Sequence, residues 1–254
     1  MTIPFIVFVS GVVIAAASGL VGSLLTLRKM TLLSDALSHI ALPGIALGIL
    51  FHFTPIWGGI VFLFLGVFLI WAIEARTKLA TESITGVLFV TALAIGALLI
   101  PEEELLETFF GNVQSISYPA AYIQMMVAIL IIGVTLSFLK HLTLTSIAPD
   151  LATASKISKK SIEILLLVLI ATTIAVGISF VGVLLMSSLL IVPAVTAKNL
   201  AKTFKGFIGI SMGISAFSLF LGLCVASVYS INPGLATVLI SSGIFFASLL
   251  VPTK

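Results

Sequence analysis

The chain has 254 residues, of which 60% are hydrophobic and only 8% charged, with a formal net charge of +3 and a mean hydropathy of +1.35. A soluble domain of this length covers its surface with far more charge. The composition therefore excludes a soluble enzyme, leaves no room for a separate catalytic domain, and makes the small positive charge a topology signal, not a nucleic-acid surface. We read residues 1–254 as one all-α integral membrane domain.

A transmembrane helix takes roughly 20 apolar residues. In chain order the apolar runs predict spans at 3–27, 32–50, 55–73, 84–100, 120–139, 164 to about 178, about 180 to 197, 207–229 and 235–251. That is about eight or nine helices, each able to satisfy its own backbone polar groups inside a bilayer. The first run, "MTIPFIVFVSGVV", lacks a charged n-region and is expected to stay as the first span. The stretch 164–197 is short for two full crossings. Gly177 and Gly182 in "VGISFVG" offer a tight turn there, predicting two short helices or a helix with a re-entrant partner.

This layout sorts the charges. Arg28, Lys29, Arg76, Lys78, Lys140, Lys156, Lys159, Lys160, Lys198, Lys202, Lys205 and Lys254 all fall on one side, which the positive-inside rule makes cytoplasmic. The N-terminus is then outside and the C-terminus inside. The acidic run "PEEELLE", with Glu102, Glu103, Glu104 and Glu107, lies on the other side. Glu74, Glu82 and Glu163 read as wetted span ends, with Glu82 in an early helical turn after Thr81. His52 and His141 read as solvated loop residues. One cysteine, Cys224, excludes a disulfide within the chain and a thiolate metal cage.

The longest basic-side loop is "KHLTLTSIAPDLATASKISKKS". Pro149 and Asp150 can start a helix in it, and Leu151, Ala154 and Ile157 then share one face. Two readings stand side by side: an amphipathic helix resting on lipid headgroups, or a docking helix for a cytoplasmic partner.

Asp35 and His39 are the only acid and the only histidine well inside a predicted span. A charge near the bilayer centre costs roughly 2.5–3.5 kcal/mol on insertion scales, so such residues mark a cavity, a partner or a substrate. Their i, i+4 spacing puts both side chains on one helix face, with Ser34 and Ser38 close enough to act as supporting hydrogen-bond partners. Three roles are open: two ligands of one divalent cation, a structural Asp–His hydrogen bond, or a proton relay. Carboxylate plus imidazole suits zinc, manganese or iron as M(II), and the absence of cysteine argues against Cu(I). Two ligands are few, and a two-fold axis beside this helix would bring four together. Pro43, just beyond, removes an intrahelical hydrogen bond and predicts a kinked or broken helix at mid-membrane.

The run "LRKMTLLSDALSHIALPGIALG" resembles, nearly position for position, the signature of membrane permeases from the zinc/manganese/iron class of ABC importers. "ARTKLATESITGVLFVTALAIGALL", "FFGNV", "DLATASKI" and "VGVLLMSSLLIVPAVTAKNLA" are similar to further stretches of that family. Glu82 stands where Asp is usual, and Ser155 and Lys156 depart from its coupling segment. The resemblance covers nearly the whole chain. It implies a type II-like ABC importer permease in a prokaryotic cytoplasmic membrane, working as a homodimer with two cytoplasmic ATP-binding subunits and an extracytoplasmic metal-binding protein. Asp35 and His39 become the expected ligands of the passing metal, and about 149–160 the expected coupling helix. The chain carries no Walker A pattern and is not expected to be an enzyme; ATP hydrolysis belongs to a separate chain. The alternative is a secondary, proton-coupled metal transporter with Asp35 and His39 as the relay.

Overall fold

The computed structural model describes residues 4–77, 79–147 and 158–250. Among them the order is α1 (Phe5–Leu27), α2 (Thr31–Leu50), α3 (Pro55–Arg76), α4 (Thr81–Leu99), α5 (Glu102–Phe110), a 3-10 turn (Val113–Ser115), α6 (Tyr118–Ser137), α7 (Leu139–Ile147), α8 (Lys159–Leu200), α9 (Phe204–Tyr229) and α10 (Pro233–Ser248). Seven of these helices are long and apolar enough to cross a membrane, and α10 is a shorter apolar helix. The predicted spans are recovered with shifts of a few residues at their ends. Ser158, Thr203 and Asn232 set three of the starts by accepting hydrogen bonds from first-turn amides of α8, α9 and α10. Glu82 does fall in the first turn of α4.

The awkward stretch is resolved by glycine. Gly182 sits at φ 77, ψ 171, a backbone region that is essentially glycine's alone. A Cβ built on Gly177 would stand 2.3 Å from Met186 Sδ, whereas nine residues of straight helix rise about 13.5 Å. The chain therefore folds back at Gly182, and α8 is a hairpin of two limbs, 159–181 and 183–200. The first limb is longer than predicted; the second is as long as predicted but lies three residues further along the chain. The tip is seated on the end of α5: a Cβ at Gly182 would lie 2.2 Å from the Phe109 carbonyl oxygen. With this fold-back the described chain makes nine passes through the bundle.

Two elements were not predicted. The acidic run forms α5, a nine-residue helix with Glu102, Glu103 and Glu104 in its first turn, where the helix dipole favours them. The first part of the long loop forms α7. The predicted coupling segment, about 149–160, lies outside the described residues as far as residue 157. Of the kinked or broken helix predicted at Pro43, the break does not occur: α2 continues as helix through it.

The two ends of the bundle differ in charge. The α1–α2 junction, the end of α3, α7, both termini of α8 and the start of α9 share one end, so the described arginines and lysines gather there. Lys160 Nζ lies 5.2 Å from the Trp71 ring centroid at this end, and Asn199 Nδ2 donates to the Ser248 carbonyl at 2.8 Å. At the acidic end Asn232 Nδ2 donates to the Gly111 carbonyl at 3.1 Å.

The α1, α2 and α8 helices form the centre, with Leu20, Leu24, Leu37, Leu42, Ile170 and Phe180 fully buried. Trp57, Val87, Leu98, Ile123 and Met126 lie exposed on α3, α4 and α6, an apolar surface suited to lipid. Between helices, lipid-like side chains supply no hydrophobic drive, so close backbone contact matters. A Cβ on Gly22 would meet the Leu190 carbonyl at 1.9 Å, and one on Gly44 the Gly58 carbonyl at 2.1 Å. Buried serines bond to main-chain carbonyls: Ser18 Oγ to Ile14 at 2.9 Å, and Ser211 Oγ to Gly19 across helices at 2.6 Å.

Candidate metal site

Asp35 stands one turn into α2 and His39 one turn further. Both predicted residues are thus brought to one face, but their exposure differs: the Asp35 side chain is 38% exposed and that of His39 only 5%. The His39 ring is held edge-on against Phe89 of α4, with centroids 4.8 Å apart and planes at 76°.

The two side chains do not hydrogen-bond to each other. His39 Nδ1 lies 3.8 Å from Asp35 Oδ1 but 2.8 Å from the Asp35 main-chain carbonyl. A carbonyl oxygen only accepts, so Nδ1 carries a proton, and in the neutral ring the lone pair is on Nε2. This is the tautomer a divalent metal needs.

Asp35 is oriented from a different helix. Ser187 Oγ, on the second limb of α8, donates to Asp35 Oδ1 at 2.8 Å. The expected supporters do not serve: Ser34 Oγ bonds to the Thr31 carbonyl at 2.8 Å and Ser38 Oγ to the Ser34 carbonyl at 2.9 Å. Ser187 escaped the sequence reading because it is 152 residues away. The available signal was a hydroxyl pair, Ser187 and Ser188, interrupting an apolar span.

One chain therefore offers one carboxylate, with a second oxygen not used by Ser187, and one imidazole lone pair. Among the described residues no group of three or more His, Cys, Asp or Glu side chains could hold a metal ion.

A family model, the ABC 3 transport family, matches residues 2–252. The chain belongs to this family. Among its relatives is the high-affinity zinc uptake system membrane protein ZnuB of Haemophilus influenzae, 30% identical over 96% of both chains. The manganese import system permease protein ScaB of Streptococcus gordonii is 32% identical over 97% of this chain and 90% of its own. In structure, this ABC 3 chain is similar to PsaBC from Streptococcus pneumoniae, solved in complex with Fab, with a TM-score of 0.86 and 29% identity over 98% of this chain and 91% of that one. An inward-facing metal-chelate type ABC transporter shares the fold at a TM-score of 0.79 and 19% identity, over 96% of this chain and 84% of its own. A multi-pass membrane location follows from the family and its apolar helices.

Proposed function

We propose that this chain is the permease of an ATP-driven importer for zinc or manganese, and that Asp35 and His39 bind the ion in transit. The observation that carries the reading is the ready ligand pair: a carboxylate oriented by Ser187 beside an imidazole whose Nδ1–H is tied to main chain, leaving Nε2 free. The relatives named for zinc and manganese transport support the same chemistry. Nothing favours iron over these two. Two ligands per chain suit a homodimer in which two copies close one site, and weak coordination suits an ion that must leave again.

In this reading the basic end is cytoplasmic and the acidic end, with α5, faces an extracytoplasmic metal-binding protein. The metal enters between two permease copies and meets Asp35 ionised and His39 neutral. ATP binding and hydrolysis on separate cytoplasmic subunits then drive the opposite end open through the 149–160 segment.

The test is uptake of Mn(II) and Zn(II) by proteoliposomes holding this chain, its ATPase and its binding protein, with Asp35→Ala and His39→Ala compared at equal protein levels. Uptake should be lost in both; near-normal uptake in both removes the site. Uptake driven by a pH gradient without ATP would instead establish the proton-coupled alternative.

A further inference from the structure

The α1–α2 junction is a closed three-residue turn. The amides of Arg28, Lys29 and Met30 donate to the carbonyls of Leu24 (3.1 Å), Thr26 (3.3 Å) and Leu25 (3.1 Å), with Lys29 in the left-handed region at φ 57. These three bonds tie the turn to the last turn of α1, and the Leu33 amide, donating to the Met30 carbonyl at 3.1 Å, joins it to the first turn of α2; Asp35 lies on that helix, seven residues beyond Arg28.

Arg28 does not point to solvent as a helix-end basic residue usually does. Its Nε donates to Ser146 Oγ at 2.8 Å and its Nη2 to Thr145 Oγ1 at 2.9 Å. Those two residues are adjacent in the last turn of α7. Both hydroxyls donate onward to main chain within that helix, Thr145 to the His141 carbonyl at 2.9 Å and Ser146 to the Leu142 carbonyl. Their lone pairs are thus what face the guanidinium, and the rigid fork of an arginine bridges both. Burial pushes the Arg28 guanidinium down from its ordinary value, while Glu163, near the start of α8, opposes the shift. Holding a partly buried cation mainly against neutral hydroxyls is costly, and a lysine, whose three donors share one nitrogen on a flexible stem, lacks the fixed fork that matches the pair.

We infer that Arg28 is a positioning residue of the transport cycle, locking the last turn of α7 to the α1–α2 junction so that a displacement arriving at Ile147 is passed to Asp35. The inference rests on the reading above, in which the 149–160 segment receives the ATPase stroke directly after α7.

The experiment measures Mn(II) uptake and ATP hydrolysis together in proteoliposomes of the complete importer and reads their ratio. In Arg28→Gln the ratio should fall at least about fivefold, two charge-assisted hydrogen bonds having been lost, while hydrolysis and Mn(II) binding to the purified permease stay near wild type. The Thr145→Val/Ser146→Ala variant, which keeps the arginine, should behave the same way, and Arg28→Lys should recover only part of the ratio. Uptake and hydrolysis falling in proportion, or loss of Mn(II) binding in Arg28→Gln, would mark a folding or site defect and overturn the inference. An unchanged ratio overturns it too, with the transport reading intact. Absence of ATP-dependent uptake by the wild type overturns the transport reading, and this one with it.

Discussion

Ser187→Ala isolates the contribution of a single hydroxyl to the candidate site. Ser187 is 6% exposed, and its one cross-helix bond is to Asp35 Oδ1. Alanine deletes that bond, leaves a void of one oxygen atom, and is the better helix former by roughly 0.5 kcal/mol, so the bundle should keep its stability. A hydroxyl bond to a charged acceptor contributes about 1.5–3 kcal/mol. Water reaches the Asp35 side chain, which is 38% exposed, and replaces part of the lost bond, leaving about 1–1.5 kcal/mol. At 1.4 kcal/mol per decade this is about a tenfold loss of metal affinity, the low end of the 10–100-fold range for partners that orient a ligand. Equilibrium dialysis of the purified permease against Mn(II) reads it directly. Ser38→Ala is the control, because Ser38 bonds only within its own helix, and its affinity should not change. An affinity within about twofold of wild type in Ser187→Ala would falsify the assignment of Ser187 as the group that orients Asp35.

Asp35→Asn keeps an oxygen to accept from Ser187 but removes the anion, so Mn(II) affinity should drop by more than about tenfold with an unchanged thermal midpoint; retained binding contradicts the ligand role. Gly182→Ala places a β-carbon in a backbone region costing about 1–3 kcal/mol and against the Phe109 carbonyl at 2.2 Å. The thermal midpoint in detergent should therefore fall by several degrees, and an unchanged midpoint would mean the tip relaxes freely.

Much of the architecture was legible because a bilayer imposes one simple demand on a long apolar run. The α3 and α4 boundaries follow from where charge begins and ends, and the sorting of basic residues fixed the path of the chain. The fold-back at Gly182 was legible as a need for a turn, since both flanks of α8 are basic. Its limb lengths were not, because apolar residues continue on both sides of the glycine. The α5 helix was hidden by its glutamates, which read as loop until the dipole of a short helix gives them a place. At the site, the Asp35–His39 pair follows from i, i+4 spacing alone. What spacing could not give is that the imidazole bonds to main chain and that the carboxylate leans on α8, since both depend on contacts that sequence distance does not encode. At Pro43 the missing donor predicts a kink or a break, and the helix is not broken: α2 stays helical through it, packed between α3 and α4.

One close contact of α2 with α3 lies one residue past that proline. There Gly44 and Gly58 meet main chain to main chain, each leaving about 2 Å for a β-carbon of the other. The two main chains touch directly at this point, with the Phe62 and Phe53 rings alongside, so a change in the helix angle is felt first by backbone. The Pro43 ring has also removed the amide that would otherwise bond to the His39 carbonyl, so the rod is softest just below the contact. Mechanically this is a bare fulcrum beside a compliant joint, and the arm on its near side carries Asp35 and His39.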